Sequence, residues 1–185
     1  MDAAAPGCPS GIRVLFVCTA NISRSPYLEL RARDLVSRGA GPSEAQFSSA
    51  GTYAAPGRSI DPQMRTELST RGIDAGDHAS RQVSAAMARA ADVVLTAESA
   101  HRTWLLTEDP ALVRRVFTLD QVVENLSTVG EGLTLRDLLH DNDQLAALRR
   151  PVEGEILDPY GKSLEVAAQA ALRMDELLVT MLSRL

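Results

Sequence analysis

The run Ile12 to Val17 is continuously apolar and β-prone, it leads into Cys18, and by Ser25 and Pro26 a helical pattern has begun. A strand of this kind is buried on both faces of a parallel sheet, and Pro suits the first turn of a helix. So short a passage from strand to helix commits the chain to a β-loop-α unit, with ligands bound beyond the carboxyl end of the strand. The alternation continues. The first helix carries Leu28, Ala32, Leu35 and Val36 on one face and stops at Gly39, and Gln46 to Ser49 is a weakly marked second strand. Asp61-Pro62 opens a helix to about Arg71, closed by Gly72. Asp92 to Thr96 is a strand, Glu98 to about Thr107 a helix, and Val116 to Leu119 a last strand. Ser163 caps a long helix reaching Leu185, with an apolar stripe through Leu164, Ala168, Ala171, Leu178 and Leu182. This pattern predicts an α/β fold, a parallel sheet wrapped by helices.

No linker or repeat divides the chain, so residues 12–185 are expected to form a single domain behind a flexible tail, 1–11. The tail has no cationic or apolar leader character. Asp120 to Glu155 is the least legible stretch. It contains Gly130 and Gly132 and a predicted helix from Leu135 to Arg149, either an inserted lid or an extra packed helix. A net charge of −5 argues against a nucleic-acid surface, and the apolar runs are too short to cross a membrane. An anionic ligand would need a local field, for which Arg24, Arg31 and Arg33 are candidates. Two cysteines, Cys8 and Cys18, make no disulfide framework.

Cys18 and Arg24 stand in the spacing Cys-x5-Arg. Five intervening residues let the backbone curl into a cup whose N–H groups converge on a tetrahedral anion, at the positive end of the following helix. Arg24 would clasp two anion oxygens with a planar fork that Lys lacks. The thiolate is the reactive form of Cys18, and Ser25 is placed to donate to it. Asn21, in mid-loop, tolerates the positive φ that turns backbone N–H groups inward. Cleaving a phosphate ester also needs an acid for the leaving group. The candidate is Asp158 in Ile156-Leu157-Asp158-Pro159-Tyr160-Gly161, where Tyr160 offers an aromatic wall. Gly161-Lys162-Ser163 is not a nucleotide loop, because Ile156 stands where that motif needs Gly.

With these motifs the chain resembles the low-molecular-weight protein tyrosine phosphatases, in their bacterial branch. The resemblance rests on Val17 to Pro26, Ser49-Ala50-Gly51-Thr52, His78-Ala79-Ser80-Arg81-Gln82, Asp92 to Thr96 and Asp158-Pro159-Tyr160. It implies a three-layer α/β/α fold with a central four-stranded parallel sheet. It also implies Cys18 as the nucleophile that becomes phosphocysteine, Arg24 as phosphate clamp, and Asp158 as acid and then base. Backbone amides of Thr19, Ala20, Asn21, Ile22, Ser23, Arg24 and Ser25 would line the phosphate pocket, with Tyr53 and Tyr160 at its rim. Asn21, Ser25, Ser49 and His78 would support the loop. A branched apolar residue at Ile22 accompanies aryl phosphate activity in this family, whereas Thr there accompanies phosphoarginine activity. Ala20 replaces the usual Gly, which requires a negative φ there. Ser23 replaces a second cysteine that often shields the nucleophile as a disulfide, and Cys8, in the tail, is read as an ordinary thiol in preference to a substitute shield. The rim near Tyr53 and Ala54 lacks the Trp of animal members. The resemblance implies neither metal nor cofactor, a cytoplasmic location, and a phosphotyrosine protein, such as a bacterial tyrosine kinase, as partner. Arsenate reductases share the cup, and a phosphotyrosine-binding module without turnover is the non-enzymatic alternative.

Overall fold

The computed structural model describes residues 11–130, 132–141, 145, 146, 148, 150, 152 and 154–185. Cys8 lies outside the described residues. Four strands, β1 (Arg13–Cys18), β2 (Gln46–Gly51), β3 (Val93–Thr96) and β4 (Val116–Thr118), form a parallel sheet in the order β2-β1-β3-β4. The helices described with both ends are α1 (Arg24–Ser37), α2 (Pro62–Thr70), α3 (Ala85–Ala90), α4 (Ser99–Glu108), α5 (Leu119–Thr128), α6 (Leu135–His140) and α7 (Leu164–Leu182). A 3-10 turn spans Pro110–Arg114.

Strand β1 explains the layers. Val14, Phe16 and Cys18 alternate with Leu15 and Val17, and both sets are buried. The first set packs under α1, α2, α5, α6 and α7, the second under α3, α4 and the 3-10 turn. Each fully buried Leu or Phe in such layers contributes about 1.5–3 kcal/mol. A strand with apolar residues on both faces needs both coverings. Three layers with β1 near the middle follow, and Cys18 emerges at the carboxyl edge beside β2 and β3.

Several local expectations are corrected. Gly11 belongs to the packed fold rather than to a tail, since a Cβ there would fall 1.8 Å from the Glu44 carbonyl oxygen. Helix α7 buries Ala167, Ala170, Ala171, Met174, Leu177, Leu178, Met181 and Leu182, whereas Leu164 is 61% exposed. Leu164 is the first helical residue, and the buried stretch of the helix begins one turn later at Ala167. The helix predicted from Leu135 to Arg149 is not continuous: α6 ends at His140 with Asp141 extended at ψ 127°, and Leu145, Ala146 and Leu148 are helical again. Residues 142–144, 147 and 149 lie outside the described residues. Helices α3 and α5 were not legible. The first is a six-residue alanine-rich turn, and the second follows β4 without any loop.

Candidate active site

The loop after Cys18 is built from its carbonyls outward. The Cys18 carbonyl accepts from Thr52 N (2.9 Å), Thr19 from Tyr53 N (2.8 Å), Ile22 from Asp61 N (2.8 Å) and Ser23 from Tyr27 N (3.2 Å). The Asn21 carbonyl meets His78 Nε2 at 2.8 Å. In a trans peptide the following N–H points opposite to the carbonyl, so the amides of Thr19, Ala20, Ile22, Ser23 and Arg24 turn toward the interior of the loop. This is the expected anion cup.

Asn21 makes the turn possible. Its φ is +54°, and it is the one non-glycine residue with positive φ among the described residues, so Ala20 avoids the region that would penalise its methyl group. The Asn21 amide is fully used. Nδ2 donates to Ser25 Oγ (3.0 Å) and Ser49 Oγ (2.8 Å), and Oδ1 accepts from Arg81 N (3.0 Å). Ser49 in turn donates to Glu29 Oε2 at 2.5 Å, and Arg33 pairs with Glu29 at 2.6 Å. Ser25 Oγ lies 3.0 Å from Cys18 Sγ and 3.2 Å from the Ala50 carbonyl. Its single proton must choose between them, and a thiolate is the stronger acceptor. Thus the sequence-predicted set Cys18, Asn21, Ser25, Ser49 and His78 comes together. Gly51 completes it, since a Cβ there would meet the Thr19 carbonyl oxygen at 2.4 Å.

Arg24 opens α1 with its side chain almost wholly buried. Nη1 donates to the Ile156 carbonyl at 2.9 Å and pairs with Glu98, and Nη2 pairs with Asp158 Oδ2 at 3.2 Å. Arg24 Nε and Ser23 Oγ are buried without a partner among the described residues, and Ser23 leaves α1 without a side-chain cap. Unpaired donors at a helix start are what an anion would satisfy. Arg31 and Arg33 do not add to this field. The first is held by Asp34 and Asp175, the second by Glu29 and the Phe47 carbonyl.

Asp158 sits on a strap before α7, half-exposed, with Oδ1 accepting from Tyr160 N at 3.2 Å. Buried Ile156 and Pro159 anchor the strap, and Ile156 N donates to the Ala97 carbonyl at 3.1 Å. Tyr53 and Tyr160 are exposed at the rim, as expected. Trp104, not singled out from the sequence, packs edge-on against Tyr53 at 5.9 Å and supplies an indole that Ala54 does not. Ile22 is buried, lining a groove of about 510 Å³ with Arg58, Ile60 and Tyr160. Sequence reasoning also missed Glu98 and His101. His101 is buried on the first turn of α4, with Nε2 2.8 Å from Thr19 Oγ1. Burial pushes its imidazole below the ordinary 6.5, while the Glu98 carboxylate pulls upward and Arg24 downward. Their only sequence signal was a polar, titratable pair just after a strand that faces the ligand edge.

Among the described residues no group of three or more His, Cys, Asp or Glu could hold a metal ion, and no helix is long and apolar enough to cross a membrane. The chain is 25% identical over 165 residues to a protein-arginine-phosphatase of Bacillus subtilis (strain 168), covering 89% of this chain and 91% of that protein. It is 33% identical over 104 residues to the low molecular weight protein-tyrosine-phosphatase Wzb of Salmonella typhi, covering 56% and 66% of the two chains. The crystal structure of a low molecular weight protein tyrosine phosphatase from T. tengcongensis superposes with a TM-score of 0.73 at 26% identity, covering 95% of this chain and all of that one. The model of the family described as low molecular weight phosphotyrosine protein phosphatase matches residues 13–137, well over half of the chain, and the chain therefore belongs to that family.

Proposed function

We propose that this protein hydrolyses aryl phosphates of phosphotyrosine proteins through a phosphocysteine intermediate. The observation that carries the reading is the ring of outward-held carbonyls around Cys18, which leaves five amides and the buried Arg24 side chain for three phosphate oxygens. The Cys18 thiolate attacks phosphorus and forms the S–P bond while the ester P–O bond breaks. Asp158 gives its proton to the departing phenoxide. The resulting carboxylate then takes a proton from the water that attacks phosphorus and releases the thiolate. Inside the cup, preset amides and the guanidinium stabilise the charge that gathers on the equatorial oxygens.

Substrate choice is the open point between relatives, since those matched over nearly the whole chain are protein-arginine-phosphatases and others are protein-tyrosine-phosphatases. Ile22 supports the aryl reading. It presents no hydroxyl to a guanidinium, and exposed Tyr53 and Tyr160 provide flat apolar walls for a phenyl ring. A thiol nucleophile must stay reduced, which suits the cytoplasm. The partner on this reading is a tyrosine-phosphorylated protein, a bacterial tyrosine kinase among them. Turnover of a phosphotyrosine peptide, a phosphoarginine peptide and arsenate by the same preparation tests the proposal. Phosphotyrosine should have the highest kcat/KM, and Ile22→Thr should narrow its lead over phosphoarginine. A preference for phosphoarginine or arsenate in the natural sequence overturns it.

A further inference from the structure

Glu98 and His101 lie three residues apart, on one side of the turn that opens α4, where i and i+3 side chains are neighbours. Each reaches a different end of the loop. Glu98 pairs with Arg24, the last residue of Cys-x5-Arg, and His101 Nε2 lies 2.8 Å from Oγ1 of Thr19, the first residue after the cysteine. The other side of the loop is held by β2 and its exit, where Thr52, Tyr53 and Asp61 donate to loop carbonyls. The α4 turn grips both termini through side chains. That turn is itself pinned to the strap, because Glu155 Oε1 accepts from Ser99 N at 3.0 Å.

We infer that the Glu98–His101 turn is a clasp that sets the width of the anion cup, with His101 as a positioning residue acting through Thr19. The inference rests on reading the cup as the phosphate site. Thr19 is exposed at the lip of the cup, and its hydroxyl is held by the hydrogen bond to His101. Its backbone is already tied, since the Thr19 carbonyl accepts from Tyr53 N. With the hydroxyl tied to α4 as well, residue 19 is held at both its carbonyl and its side chain, which keeps the flanking amides of Thr19 and Ala20 in place. His101 is buried, and Nδ1 has no partner among the described residues. A packing role alone would be filled by an apolar residue without leaving a buried ring nitrogen unpaired. Glu98 from the head of α4, Arg24 from α1, and Asp158 and Glu155 from the strap all act on the ring electrostatically, and burial favours its neutral form.

A net hydrogen bond of this type is worth about 0.5–1.5 kcal/mol, or roughly 2–13-fold in a binding constant. Calorimetric titration of inorganic phosphate into the full chain, together with kcat and KM for aryl phosphates of graded leaving groups, tests the clasp. His101→Phe should weaken phosphate binding by roughly 3–10-fold, with a drop in kcat/KM that is the same for good and poor leaving groups. Thr19→Val, at an exposed position that does not endanger folding, should reproduce the loss, and Thr19→Ser should restore it. The double variant should be no weaker than either single one, the mark of two residues that act through one bond. Unchanged phosphate affinity in Thr19→Val overturns the clasp, as do losses in the double variant that multiply. Failure of the natural chain to bind phosphate overturns the cup itself, so the two ideas fail separately.

Discussion

The loop from Cys18 to Arg24 and the strap around Asp158 meet at the Arg24 guanidinium but are built in opposite ways. In the loop most polar groups that do not face the cup are spent. Asn21 uses all of its amide, five carbonyls are tied outward, and Ser25, Ser49, Glu29 and Arg33 form a chain of hydrogen bonds running back from the sulfur. On the strap, Asp158 is half-exposed and holds only a 3.2 Å bond from Tyr160 N and a 3.2 Å ion pair with Arg24. The proposed function gives the two parts different tasks that match this difference. Donors that stabilise developing charge act best when they need no reorganisation at the moment of reaction. A group that gives and then takes a proton must exchange partners and meet water.

The sharpest break of this contrast is Cys18→Ser. The sulfur supplies the covalent step and little packing, so turnover should fall by at least ~10³-fold while thermal unfolding changes little. Substantial residual hydrolysis in a mass-verified preparation would remove Cys18 as nucleophile. Asp158→Asn probes the strap. The loss should lie near 10²–10⁴-fold for phosphotyrosine and be distinctly smaller for a nitrophenyl ester, whose leaving group departs readily as an anion. Equal losses on both esters, measured by stopped flow, would mean that the carboxyl is not the acid. Gly51→Ala has the smallest expected effect and tests the architecture of the loop alone. A methyl group 2.4 Å from the Thr19 carbonyl oxygen must push the loop or strand away, costing about 1–3 kcal/mol of stability. Denaturant unfolding reads this cost. An unperturbed midpoint and unchanged kcat/KM would show that the loop is less rigid than its hydrogen bonds imply.

Legibility differed across the chain for physical reasons. The β1-loop-α1 unit, the positive φ of Asn21 and the pairing of Ser25 with Cys18 could be read because they are local. Strand period, proline position and the tolerance of Asn for left-handed backbone operate within a dozen residues. Glu98 and His101 could not, since they reach the loop across 74 and 82 positions and carry no motif of their own. The roles expected of Arg31 and Arg33 failed for the same reason. Sequence proximity put them near the cup, but the helix face turned them toward Asp34, Asp175, Glu29 and the Phe47 carbonyl.

By itself, then, the sequence determined the order of the four strands and of helices α1, α2, α4 and α7, the parallel sheet that two-sided apolar strands require, and a thiol and a guanidinium held in one short loop. The tertiary structure alone decided which further distant groups close that loop: the Gly51 Cα and the Tyr53 amide from β2 and its exit, the Arg81 amide from the next turn, and Glu98 and His101 from α4. Local propensities act through neighbouring dihedrals and can be read along the chain. Partners of an orphan donor or carbonyl are chosen by packing, which brings together whatever polar groups the two buried faces of the sheet leave at its carboxyl edge.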